Sequence, residues 1–208
     1  MFLPPFPPLD VRVAAHRAKR PFPLPSPHGG ARAVGKASRV VKRGWQVNVT
    51  TERVTLPNGQ LLELDIIKHP GASAVVPFRG PNEILLIHQY RHAAGGALYE
   101  VPAGKLDPGE SPEACAAREL EEEAGVRAGR LVNLGWIFTT PGFSDEVIHL
   151  FAGFDLEAST LKHDDDEVIE VVPTSLDHAL EWVWSGKLND AKSALAILHA
   201  ARHVGRIT

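Results

Sequence analysis

The chain has 208 residues, 44% of them hydrophobic and 23% charged, with a formal net charge of −3. This is an ordinary globular mix, long enough to bury a core without disulfides or a structural metal. Its single cysteine, Cys115, excludes an intramolecular disulfide framework and fits a reducing, cytoplasmic setting, and no apolar run of about 18 residues is present to span a membrane.

Residues 1–43 carry nine Lys or Arg against one acid, Asp10, a net of +8 that leaves −11 for the remainder. Eight prolines between Pro4 and Pro27 work against helix and sheet, so residues 1–37 are read as a Pro/Arg-rich disordered extension, with an arm for nucleic acid or an anionic surface as the alternative. The first twenty residues lack the positive, apolar, small order of a secretory signal. Ordered structure is expected from Ser38. A hairpin follows, with strands over 45–55 and 60–68 joined at Pro57-Asn58-Gly59. Ala72–Phe78 and Glu83–Tyr90 read as central strands buried on both faces. Ser111 as N-cap, Pro112 at the first helical position and Gly125 as a left-handed stop delimit a helix. Strands are expected over 131–139, 147–154 and 168–172, then helices over 175–184 and 190–203. The pattern predicts an α/β fold with helices on both faces of a mixed sheet. Residues 38–70 are expected to form N-terminal strands and 71–208 the main domain.

The chemistry concentrates in the 111–124 helix. Glu119, Glu122 and Glu123 are spaced by three and four, which puts three carboxylates on one face within an arc of roughly 100°. Ala117, Leu120 and Ala124 are read as the adjoining core contact, with the acids held at its rim. Such hard oxygen donors suit Mg²⁺ or Mn²⁺, although a solvated acidic stripe has the same spacing. Arg118 is placed to pair with Glu122. Gly104 and Gly109 bracket a loop that leads into the helix N-terminus, where backbone N–H groups favour anions. Metal-assisted hydrolysis of a phosphate ester or anhydride needs such a combination.

The segment from Gly104 to Val126 resembles the Nudix box, Gly-x5-Glu-x7-Arg-Glu-U-x-Glu-Glu-x-Gly-U with U aliphatic. Gly104, Glu110, Arg118, Glu119, Leu120, Glu122, Glu123, Gly125 and Val126 fill every fixed position. The resemblance implies a Nudix α/β/α sandwich with mixed sheet and an N-terminal hairpin extension, and hydrolysis of a nucleoside diphosphate joined to another group. It also implies metal binding by Glu119 and Glu123 with help from Glu122, with the Ala103 carbonyl as a backbone ligand. Arg118 would orient the glutamates, and Glu110 would stabilise the loop–helix junction or help to hold a metal.

Outside the box, Gln89-Tyr90-Arg91, Tyr99–Gly104 and Thr140–Glu146 resemble the ADP-ribose pyrophosphatase subgroup, with Pro141 at its marker position. Arg91 has the fork to clamp a phosphate, or to bridge to Glu100. By resemblance Glu100 contacts adenine or metal. Trp45 is a candidate to stack on adenine or to join the core. Pro141-Gly142 would turn the chain so that Phe143 and Ser144 approach the ribose. Relatives carry a general base in an acidic loop, and Glu167 is the candidate here, with Asp166 and Glu146 as alternatives. His88 and His92 are expected on one strand face without a third metal ligand, and Cys115 is read as packed. Relatives also pair their N-terminal strands, so a homodimer is expected, with no nucleic-acid or membrane partner. ADP-ribose is the leading substrate. GDP-mannose or another nucleotide sugar is the alternative, and a module that senses ADP-ribose without cleaving it is a third reading.

Overall fold

The computed structural model describes residues 38–43, 48–159 and 169–208; for 38–43 it describes the backbone only. Ten strands and three α-helices follow in chain order: β1 Ser38–Arg43, β2 Asn48–Thr55, β3 Leu61–Lys68, β4 Ala72–Gly80, β5 Glu83–Arg91, β6 Gly96–Glu100, β7 Ala103–Lys105, α1 Pro112–Ala124, β8 Val126–Phe138, β9 Val147–Ala158, β10 Ile169–Ser175, α2 Leu176–Ser185 and α3 Ala191–His203. A 3₁₀ turn, His92–Ala94, separates β5 from β6. None of these helices is long and apolar enough to cross a membrane.

β1, β2 and β3 form a three-stranded antiparallel sheet, one strand more than the predicted hairpin. The remaining strands build a seven-stranded sheet in the order β10-β5-β4-β9-β8, with β6 on β5 and β7 on β4. It is mixed, because β4 and β9 run parallel while its other neighbours are antiparallel. β4 and β5 pair only near their connecting turn, at Phe78 with Ile84 and Gly80 with Glu83. Beyond that point they part. β5 pairs with β6 and β4 with β7, so the short link from Glu100 to Ala103 crosses between the two central strands.

Helices cover both faces, as the sequence predicts. Val75, Leu85 and Phe151 pack with Ala116, Leu120 and Ala124 of α1 on one face. Ala74, Leu86 and Leu150 pack with Leu180 of α2 and Ile197 of α3 on the other. β4 is buried along Ala72–Phe78, the continuous apolar run of a strand covered on both sides. Leu120 is fully buried, which contributes about 2 kcal/mol of transfer free energy.

Strand boundaries differ from the sequence reading: β9 runs on to Ala158 and β10 to Ser175. β8 starts at Val126, directly after the Gly125 cap, and is kinked by an irregularity between Asn133 and Gly135. β6 and β7 were not foreseen, because both are short and interrupted by Gly and Pro.

Candidate active site

The caps of α1 are those the sequence predicts. The Ser111 side chain accepts from the Ala114 N–H at 3.2 Å, Pro112 opens the helix, and Gly125 closes it at φ 64. α1 therefore starts and stops where the spacing of its glutamates requires. The face they occupy is a correction. Ala117 is exposed, and Ala116 takes its place in the core. Glu119 and Glu123 are not at a rim but turned inward, 8% and 2% exposed, while Glu122 is half-buried.

What faces them is β7. Glu123 accepts a hydrogen bond from the Ala103 N–H at 2.8 Å, so Ala103 meets this glutamate through its amide. A Cβ on Gly104 would overlap the Glu119 carboxylate. The missing side chain at Gly104 is thus what lets Glu119 lie against the β7 backbone.

Arg118 joins the cluster. Its guanidinium donates to both Glu110 oxygens at 2.9 Å, to Glu119 at 2.6 Å, to Glu122 at 2.9 Å and to the Lys105 carbonyl at 3.0 Å. The predicted pairing with Glu122 is present, and Glu110, Glu119, the Lys105 carbonyl and the Cys115 sulfur accompany it. These hydrogen bonds hold the Glu110 carboxyl at about 2, against an ordinary 4.5. The Glu110 side chain also accepts from the Asp107 N–H, which closes the loop ahead of the helix, and Gly109 supplies the positive φ of 82° there. Cys115 is fully buried, and burial, with the Glu119 charge, pushes its thiol up to about 12; it is packed, as expected, and no nucleophile.

Among the described residues, no three His, Cys, Asp or Glu side chains are already gathered as a metal cage. Arg118 serves as the counter-ion that lets these acids lie side by side. The donor set still fits a hard divalent cation: three carboxylates on one helix face, with Glu119 against backbone cleared by Gly104 and Glu123 on the Ala103 N–H.

A second charged cluster lies at the β4–β5 divergence. Glu100, 1% exposed, receives both arms of the Arg91 fork at 2.8 and 2.9 Å, and Lys192 of α3 as well. Burial works to raise the Glu100 carboxyl, but Arg91 and Lys192 together hold it below the usual range. Of the two roles open to Arg91 in the sequence, the structure displays the bridge to Glu100. Asp190 caps α3 through the Ser193 N–H, and the Ser193 hydroxyl accepts from the Val101 N–H, tying α3 to the β6–β7 link. Lys192, Asp190 and Ser193 were missed. An Asp-x-x-Ser cap is visible at 190–193, but the contact of Lys192 with Glu100 spans 92 positions.

The Pro141 turn docks on β3. Ile67 donates its N–H to the Phe143 carbonyl at 2.8 Å and accepts from the Asp145 N–H at 3.2 Å. Phe143 is 53% exposed whereas Ser144 is buried. Pro141 and Gly142 are exposed at the tip. Glu146 is held by the Thr139 hydroxyl at 2.7 Å and faces His69 at 3.5 Å. His88 stacks on Tyr99, and His92 lies in the 3₁₀ turn after β5 ends, so the two do not share a strand face. Trp45, Asp166 and Glu167 lie outside the described residues.

The family described as NUDIX domain matches residues 68–193. The ADP-ribose pyrophosphatase of Bacillus subtilis is 40% identical over 163 residues, covering 77% of this chain and 88% of that protein. The GDP-mannose pyrophosphatase of Cronobacter sakazakii is 36% identical, covering 62% and 72%. A crystal structure described as an ADP compounds hydrolase superposes with a TM-score of 0.70 at 22% identity, over 86% of this chain and all of that one, a likeness of fold. With a domain match over more than half its length, and a relative aligned over most of its own, the chain belongs to the Nudix family.

Proposed function

We propose that this chain hydrolyses the phosphoanhydride of ADP-ribose, adding water to release AMP and ribose 5-phosphate, with a divalent cation, Mg²⁺ in the first place and Mn²⁺ as a substitute. The observation that carries the reading is the pair of inward-turned carboxylates, Glu119 and Glu123, set against β7 where Gly104 makes room. Identity to an ADP-ribose pyrophosphatase over most of the chain selects the substrate.

Glu119, Glu122 and Glu123 would hold the cation beside the Ala103 backbone. When bound, the cation neutralises phosphate oxygens and makes water a better nucleophile. Arg118 keeps the Glu110, Glu119 and Glu122 carboxylates in register and ties them to the Lys105 carbonyl. Arg91 turns its fork from Glu100 to the diphosphate, and Glu100 keeps Lys192 as its counter-charge when that happens. Glu167 is the proposed general base for the attacking water, and Trp45 the proposed stacking surface for adenine. The turn at Pro141, Gly142, Phe143 and Ser144 closes the sugar end. The chain is proposed to act as a homodimer through its N-terminal sheet; static light scattering at micromolar concentration reporting a monomer would remove that part.

The deciding experiment compares ADP-ribose, ADP-glucose and GDP-mannose with Mg²⁺ and identifies the products. AMP and ribose 5-phosphate from ADP-ribose, at the highest kcat/KM of the panel, supports the reading. Preference for GDP-mannose replaces the substrate, and binding of ADP-ribose without product replaces the enzyme with a sensor. Turnover in ¹⁸O-water locates the phosphorus attacked.

A further inference from the structure

Gln89 is 4% exposed, and its side-chain oxygen has no hydrogen-bond partner among the described residues. Buried polar atoms almost always have a partner, because a dry acceptor carries a desolvation cost that nothing offsets. The position of this one suggests what the partner is. Gln89 stands in β5 opposite Leu98 of β6 and Ile169 of β10. Alternation along the strand puts its side chain on the α1 face, with Leu85 and Arg91. Glu100 is its diagonal neighbour on β6, on that same face.

We propose that Gln89 is a substrate-binding residue whose carboxamide oxygen accepts a hydrogen bond from a sugar hydroxyl adjoining the diphosphate; the inference rests on the hydrolase reading above. An acceptor oxygen has nothing to offer the diphosphate, whose ionised oxygens also only accept. The donors of a nucleoside diphosphate sugar are its hydroxyls and the amine of its base. A place two residues from Arg91, on the face of the α1 carboxylates, brings the sugar hydroxyls beside the diphosphate closer than the base. Arg91 also accounts for access. Its side chain is 40% exposed on the face it shares with Gln89, so a diphosphate held by Arg91 brings the adjoining sugar to the Gln89 end of the strand.

The contact would discriminate as well as bind. A pocket that offers a buried acceptor to a hydroxyl disfavours a substrate lacking that hydroxyl, because the oxygen is left dry again.

The experiment uses the full chain with Mg²⁺ and two variants, Gln89→Leu and the closer-volume Gln89→Met. KM and kcat are measured with ADP-ribose, Tm by thermal unfolding, and Kd for the α,β-methylene analogue of ADP-ribose by calorimetry. KM and Kd are expected to rise about tenfold with kcat held within about twofold. Tm should be unchanged or higher, since the variants remove an unsatisfied buried oxygen. Unchanged KM and Kd in the folded variants would overturn the proposal. So would a lower Tm with unchanged kinetics, the pattern of an internal water bridge. If the wild-type chain binds the analogue but does not turn over ADP-ribose, the hydrolase reading fails, and the Kd comparison still decides on Gln89.

Discussion

Glu119 occupies the space that a side chain at Gly104 would need. The two residues lie fifteen positions apart, one in a three-residue strand and the other in the middle of α1, and a side chain at position 104 would displace the Glu119 carboxylate. In Gly104→Ala the new methyl group meets the far end of a flexible side chain, so the carboxylate moves and the backbone does not have to. The φ at Gly104 is outside the left-handed region, so alanine adds no backbone strain. The fold should survive with Tm nearly unchanged, while divalent affinity and turnover fall about 10- to 100-fold. Calorimetric Mg²⁺ titration beside an unfolding curve checks both halves; loss of stability with intact metal binding would reverse the argument.

Glu123→Gln separates charge from shape. The Ala103 N–H donates to this side chain at 2.8 Å, and the amide oxygen of glutamine can accept the same bond. Packing is therefore retained while one anionic ligand is lost. Turnover of ADP-ribose should drop more than about 100-fold with an unchanged circular dichroism spectrum. Wild-type turnover in this variant would remove Glu123 from the metal set.

Glu110 gives the site a pH signature in the metal-free protein. Its carboxyl titrates at about 2 when folded, against an ordinary value of 4.5, because Arg118 and the Asp107 N–H stabilise the anion. A depressed folded value means that the contribution to stability is fully present above pH 4.5. It is lost as the pH falls toward 2, where the folded carboxyl protonates too. Denaturant midpoints measured across that window should fall for the wild type and less steeply for Glu110→Gln. Parallel curves would show that the Arg118 contact adds nothing to stability.

How much of this was legible in the sequence follows from the range of each interaction. The α1 helix was readable to the residue at both ends because Ser111, Pro112 and Gly125 act locally. The two-faced burial of β4 and β5 was readable because both faces ask for apolar side chains. Helical spacing puts Glu119, Glu122 and Glu123 on one face but does not say what that face meets. The burial of Glu119 and Glu123 depends on β7, which is too short and too glycine-rich to announce itself as a strand. The exchange of Ala117 for Ala116, beside an unchanged Leu120 and Ala124, has the same origin, since a small turn about the helix axis is decided by the sheet underneath. Lys192 on Glu100, and the unsatisfied oxygen of Gln89, are products of tertiary packing alone.

Arg91 and Glu100 allow the two readings of that arginine to be told apart. Glu100 is buried and carries two cations; Arg91 is partly exposed and has a substitute in Lys192. If Arg91 serves chiefly to neutralise Glu100, removing either partner should destabilise the fold comparably. If it moves to the diphosphate, Arg91→Ala should leave Lys192 to compensate Glu100, cost little stability and raise KM for ADP-ribose about tenfold. Glu100→Ala, in contrast, leaves Arg91 and Lys192 facing each other at a buried position and should cost about 3 kcal/mol. Chemical unfolding and steady-state kinetics on the two variants give the comparison. Equal destabilisation with an unchanged KM in Arg91→Ala would assign Arg91 to the fold, and a large KM effect at small cost in stability would assign it to the substrate.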